Sequence, residues 1–176
     1  GSEMCIRDRG DIVRMRPGEH SLLLYNNDTE YIVFDDMNSF ASAKATTRTR
    51  TRASYAGNPY MENTVENTVN APDMLYGNYM ENYTAERKIE ADELPVTMHP
   101  FVFTYLVRYE FSHGLEYVAL ARGALAGMAG AVWLNSGRTS EEAATILYDC
   151  SVEDFGTQAC VQSFGIPDYP NEHYTT

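Results

Sequence analysis

PVTMHPFVFTYLVRYEF, residues 95–111, alternates so that Phe101, Phe103, Tyr105, Val107 and Tyr109 fall on one side of an extended chain, with Val102, Thr104, Leu106, Arg108 and Glu110 on the other. Aromatic and β-branched side chains dominate this run, and period-two alternation is the mark of a strand with one face on a core. The expectation is therefore that Phe101 to Tyr109 form the core face, with Tyr105 and Tyr109 in core or half-buried packing, while the opposite face turns polar towards Glu110. Further along, His113-Gly114 reads as a turn and Leu115 to Leu120 as another strand. Gly123 to Gly130 is too rich in glycine for a stable helix and reads as a short helical turn or irregular crossover. Val132-Trp133-Leu134, Ala144 to Cys150 and Ala159 to Phe164 read as further strands, the last two joined by a turn around Asp154-Phe155-Gly156. Thr139 and Glu142 have capping-box spacing, but Ile146-Leu147-Tyr148 favour a strand over the helix this would start. The sum is an all-β fold, an antiparallel β-sandwich.

Towards the N-terminus, Leu22-Leu23-Leu24-Tyr25 and Tyr31-Ile32-Val33-Phe34 flank the polar Asn26-Asn27-Asp28-Thr29-Glu30, which predicts a hairpin over residues 21–34. Thr47 to Arg52 alternates Thr with Arg, placing Arg48, Arg50 and Arg52 on one face of a strand. Such a strand is either an edge guarded by charge or an anion-binding or protease-sensitive basic strip. Residues 53–85 read as a polar connection with little regular structure. Its short echoes, Tyr60-Met61-Glu62-Asn63 with Tyr79-Met80-Glu81-Asn82 and Glu62-Asn63-Thr64-Val65 with Glu66-Asn67-Thr68-Val69, are too few for a solenoid. Residues 1–9 begin with Gly-Ser, lack any period, and read as cloning sequence. The expected organisation is thus 10–52 as the end of a first β lobe, 53–85 as connection, and 86–176 as a second sandwich lobe, incomplete at its C-terminal end.

The 176 residues carry a net charge of −12, and residues 1–52 are balanced at 8 basic and 8 acidic side chains, so the excess lies beyond Arg52. That balance disfavours partners recognised through phosphates, so nucleic acid and anionic membrane surfaces are not expected. The longest apolar candidate, Val118 to Leu134, is interrupted by Arg122, Gly123, Gly127 and Gly130. It falls short of a membrane-spanning helix.

No chemistry-bearing constellation is expected. His20, His99, His113 and His173 never stand two or four residues apart, and no Gly-x-Gly-x-x-Gly, Gly-Lys-Ser/Thr or Gly-x-Ser-x-Gly motif occurs. Asp35-Asp36, Glu141-Glu142 and Glu153-Asp154 are adjacent pairs, which on strands point to opposite faces. No catalytic, cofactor-binding or metal-binding residues are assigned, and no cofactor is implied. The 13 tyrosines could line a sugar platform, though packing is favoured for them. Cys150 and Cys160 are symmetric about Phe155, so a hairpin turning there would set them opposite one another as a possible cross-strand disulfide; two free, half-buried thiols are the alternative.

LLLYNNDTEYIVF at 22–34, APDMLYGNY at 71–79, and the run from PVTMHPFVFTYLVRYEF through LARGALAGMAGAVWL together resemble the fimbrillin-like surface lipoproteins of Bacteroidales, in a branch of unknown function. The resemblance covers roughly residues 10–166. It implies transthyretin-like Greek-key sandwich lobes joined end to end, export to the cell surface and outer membrane with lipid attachment, and no enzymatic activity. It also implies a structural or adhesive role, with partners that are like subunits paired through β-strands, or a host protein or glycan. A surface glycan-binding module is the alternative. The family's preceding strands and its last strand have no counterpart here, so the chain reads as a fragment. Self-association through an exposed 21–34 hairpin is expected. So is an open sheet edge beside Ala159 to Phe164, unpaired or covered by the proline-bearing tail 167–176.

Overall fold

The computed structural model describes residues 12–55 and 66–168. The described chain is all-β. Its strands are β1 (Gly18–Tyr25), β2 (Ile32–Asp35), β3 (Lys44–Thr47), β4 (Asn67–Val69), β5 (Tyr76–Ala85), β6 (His99–Pro100), β7 (Phe103–Glu110), β8 (Ala121–Ala129), β9 (Ala131–Trp133), β10 (Ala143–Glu153) and β11 (Gly156–Ser163). Two small antiparallel sheets run β1-β5-β6 and β2-β3-β9, and a larger one runs β4-β10-β11-β7 with β8 on β10. One pair, β4 with β10, is parallel.

The β10–β11 hairpin turns a corner. Its turn end pairs Ser151–Glu153 with Gly156–Gln158, whereas the rest of β10 pairs with β8 and β4, and the rest of β11 with β7. The two arms lie face to face as a sandwich. Val69, Met128, Ala144, Ile146 and Tyr148 from one layer meet Ala159 and Val161 from the other. A second cluster gathers Ile32, Ala43, Ala45, Leu75, Phe101, Val102, Ala129, Val132, Leu134 and Phe164, so residues from 10–52 and from 86–176 share one core. Alternation decides which side chains enter this sandwich, Ala144, Ile146 and Tyr148 on β10 and Ala159 and Val161 on β11, while Thr145 and Leu147 on the opposite face of β10 are buried as well.

The sequence reading holds for β7, β9, β10, β11 and the turn at Asp154-Phe155. It fails at the 21–34 hairpin. β1 pairs with β5 and β2 with β3, so the two runs belong to different sheets. The polar residues between them are bound by a distant segment. Asn26 donates from Nδ2 to Met74 O at 3.0 Å and accepts Tyr76 N–H at 2.7 Å, while Asp73 accepts the N–H groups of Glu30 at 2.9 Å and Tyr31 at 2.6 Å. These bonds carry the chain from one sheet to the other. The expected polar connection likewise contains β4 and the ten-residue β5. The echo at 60–65 lies outside the described residues, as do 1–9.

Gly123 to Ala129 is strand rather than crossover, since β8 pairs with β10 from Ala121 to Ala129 through one irregularity in register, and Gly130 is a bend before β9. Glycine is required at 123 because a Cβ there would stand 2.1 Å from the Tyr148 ring, and the bare backbone makes room for that aromatic. Leu115–Tyr117 is a single 3-10 turn instead of a strand. One side of Ala159–Ser163 is closed, because β11 pairs with β7 along its whole length, whereas on its other side β10 pairs only as far as Gln158. The start of the tail runs elsewhere: Thr139 Oγ1 donates to Ile166 O at 2.7 Å and Asp168 N–H to Ser140 O at 3.1 Å. Residues 169–176 lie outside the described residues.

Candidate functional site

β7 is the exposed border of the larger sheet. It pairs with β11 in unbroken register, from Phe103↔Ser163 to Glu110↔Gly156, and among the described residues no strand pairs with its other side. The direction of its backbone groups follows from one bond. Phe111 N–H donates to Phe155 O, directly opposite in the same register, at 2.9 Å. Bonding positions alternate along an antiparallel ladder, so the odd-numbered residues bond to β11, while Thr104, Leu106, Arg108 and Glu110 turn N–H and C=O to the free side.

The side chains of β7 are as open as its edge. Phe103, Tyr105, Val107 and Tyr109 do share the side facing the sandwich, as the alternation predicts, but they are not buried there. Phe103 is 50% exposed, Tyr105 37% and Tyr109 48%. Their partners across the ladder, Ser163, Val161 and Thr157, are buried. The opposing layer reaches over β11 to β7 where Val107 packs and where the Tyr109 and Tyr148 hydroxyls meet at 3.3 Å. Burial, then that hydrogen bond, raises the Tyr148 phenol far above its ordinary range. On the other side Leu106 is 67% exposed, and Arg108 lies over the Phe155 ring at 3.8 Å while pairing with Glu110 at 3.1 Å. At the start of β7, a shallow groove of about 300 Å³ is lined by Phe103, Phe164 and Ile166 and crossed by the Arg138–Asp168 ion pair.

Two of the three alternating arginines, Arg50 and Arg52, are neither an edge guard nor a free basic strip, while Arg48 is exposed. Beyond Thr47 the chain follows β4 through the Thr49↔Val69 bridge and sends two guanidiniums onto β10. Arg50 donates to Leu147 O at 2.9 Å and Asp149 Oδ2 at 2.6 Å. Arg52 donates to Tyr148 O at 3.2 Å and Asp149 Oδ1 at 3.1 Å, and Arg122 approaches the same carboxylate at 3.6 Å. The Arg50 hydrogen bond, then the surrounding guanidinium charges, hold the Asp149 carboxyl below its ordinary value. The work of Arg50 and Arg52 is cohesive: they supply donors to carbonyls of β10. Close by, Glu66 Oε2 accepts from Gly127 N–H at 3.0 Å and Thr145 Oγ1 at 2.7 Å, while its Oε1 is buried without a hydrogen-bond partner among the described residues.

The cysteine pairing expected from symmetry is displaced by one residue. The turn has two residues, Asp154 and Phe155, so the register runs Glu153↔Gly156 and Ser151↔Gln158. Cys150 then shares a face with Ala159, and Cys160 faces the other way. Both thiols are free, Cys160 exposed and Cys150 packed against the sandwich core, where burial raises its pKa. His20 bonds Arg16 O at 2.6 Å, His113 bonds Ser112 Oγ at 2.9 Å, His99 lies in β6, and His173 falls outside the described residues. Among the described residues no three His, Cys, Asp or Glu side chains group as a metal site would require. No described helix is long and apolar enough to cross a membrane.

Among curated proteins, none matches the sequence. A crystal structure of a protein from Bacteroides ovatus ATCC 8483, described as a "putative adhesin", shares the fold with a TM-score of 0.68 at 24% identity. The likeness covers 92% of this chain and 55% of that one, so the chain spans about half the length of that protein. A family described as a domain of unknown function, DUF5119, matches residues 4–149. That match takes in the greater part of the sequence, and the chain belongs to the DUF5119 family.

Proposed function

We propose that this chain is a non-enzymatic structural or adhesive subunit of a bacterial cell surface, of the fimbrillin-like kind its sequence resembles. The reading includes export to the outer membrane as a lipoprotein and participation in a pilus or similar adhesive assembly. The observation that carries it is the open strand β7: eight residues whose outer backbone edge no strand pairs among the described residues, with Phe103, Tyr105, Leu106 and Tyr109 exposed. Sheets normally cover or charge such an edge, and leaving one open suits a surface made to be joined. The fold shared with the Bacteroides ovatus protein supports the same reading. Partners would be like subunits engaged through strand pairing, or a host protein or glycan. Particles coated with the protein should be retained on epithelial monolayers or mucin above uncoated particles, and Tyr105→Ser with Tyr109→Ser should lower retention. Equal retention of coated and bare particles would contradict the reading.

A glycan-binding module is the second reading, favoured by Phe103, Tyr105 and Tyr109 lying exposed on one face of one strand, where aromatic rings can stack on sugars. Binding to isolated oligosaccharides that is lost in Tyr105→Ala would select it. Retention on proteins stripped of glycans would select the first.

A further inference from the structure

We infer that β7 is a self-pairing edge: two copies of this chain join antiparallel, β7 to β7, about a two-fold axis at Val107, making one continuous sheet across the dimer. The inference deepens the subunit reading above and rests on it for its biological meaning; its partner is a second copy.

The register is limited by geometry. A two-fold axis perpendicular to a sheet keeps side chains on their own face, so each residue must meet one of the same parity. The outward backbone groups belong to Thr104, Leu106, Arg108 and Glu110, which are all even-numbered, so even residues form the hydrogen-bonded pairs and odd residues the close non-bonded ones. Centring the axis on Val107 uses the whole strand. Thr104 then meets Glu110 of the second copy, Leu106 meets Arg108, Tyr105 meets Tyr109, and Val107 meets itself.

That arrangement is self-complementary in charge and shape. In a chain of net charge −12, β7 carries one Arg and one Glu and is neutral, and no like charges face each other across the pair. Moving the axis to Arg108 would set the two arginines opposite each other. Moving it to Leu106 would place Arg108 across from Thr104 but would set Glu110 against Val102, which is buried. The chosen register also stacks Tyr105 on Tyr109 twice, on the side where the rings are uncovered. Of the devices that blunt an edge, β7 has only the two charges of Arg108 and Glu110, which this register matches; it carries no proline, no lysine and no irregularity in its register.

Sedimentation over a concentration series tests the pairing, with the mass expected to double from monomer to dimer as concentration rises. Leu106→Lys sets like charge against the partner's Arg108 and should hold the mass at the monomer value, whereas Leu106→Glu creates an ion pair there and should keep the dimer. Leu106 is exposed, so both variants should fold with unchanged melting. A third variant fixes the axis. Val107→Cys, with the native cysteines replaced by serine, places two thiols across a close pair and should yield a disulfide-linked dimer on mild oxidation; Leu106→Cys should not. A wild-type chain that stays monomeric at all concentrations, including one that binds a foreign strand peptide instead, overturns the inference. So does a dimer that Leu106→Lys and Leu106→Glu affect equally. A monomer whose particles still adhere would sink the self-pairing and spare the adhesive reading. A dimer whose particles do not adhere would do the reverse.

Discussion

β11 and β7 lie side by side in one sheet, joined residue for residue over eight positions, yet one is a core strand and the other a surface. On β11 the face turned to the sandwich is closed, with Val161 and Ser163 at 0% exposure; on β7 the same face leaves Phe103 half open. Composition does not explain this, since β7 is the more apolar and more aromatic of the two. The difference is set by what lies opposite. The β8-β10-β4 layer covers β11 and ends over Val107 and Tyr109. Apolar alternation therefore specifies a strand and its faces, while burial is decided by the width of the facing layer.

The widest contrast comes from placing the same charge on both strands. Val161→Asp buries a carboxylate with no partner and should cost several kcal/mol, on the order of 3 or more, leaving little folded protein in a urea titration. Leu106→Asp should move the midpoint by less than about 0.5 kcal/mol. Similar losses from the two variants would erase the distinction between the strands.

Gly156 tests the join between them. It has φ of 152°, and a Cβ there would stand 1.9 Å from Tyr109 O, a backbone atom held by the ladder. Gly156→Ala should destabilise the chain by about 1–3 kcal/mol in thermal or urea melts. An unchanged midpoint would mean that the turn end of β7 is not fixed against β11.

A smaller effect than that of Gly156 is expected at Asp149, where arginine donors grip β10, unlike the ungripped edge of β7. Its carboxyl is held below the ordinary value of 3.8, so the folded chain binds its proton less readily than the unfolded one. The contribution is complete above that ordinary value and fades as pH falls through it towards the depressed folded pKa. Because Asp149 is 56% exposed, the effect should stay below about 1 kcal/mol. Asp149→Asn should flatten the acid limb of the stability curve and leave the melting of β7 variants additive with it. An acid limb identical to wild type would remove the arginine grip from the account.

What the sequence made legible follows the range of the interactions. The β10–β11 hairpin was readable because its runs and its turn at Asp154-Phe155 are contiguous. The 21–34 hairpin misled because the groups that settle it, Asp73, Met74 and Tyr76, lie more than 40 residues away. β8 was hidden by its glycines, and the purpose of Gly123, room for the Tyr148 ring, exists only once β10 is alongside. Thr-Arg alternation at 47–52 was visible, but its partner Asp149 is nearly 100 residues distant. For the candidate surface, the faces of β7 could be assigned from residues 101–110 alone. Its openness could not, because that depends on where the opposite layer stops.

Amide hydrogen exchange along β7, followed residue by residue at high dilution, tests the central claim of an open edge most directly. With odd-numbered amides bonded to β11 and even-numbered amides turned outward, the account predicts alternation: Leu106 and Arg108 exchange at close to unfolded rates, while Tyr105, Val107 and Tyr109 are protected to the level of β11. Uniform protection of all five amides at that dilution would show that the edge is covered, and would contradict the account.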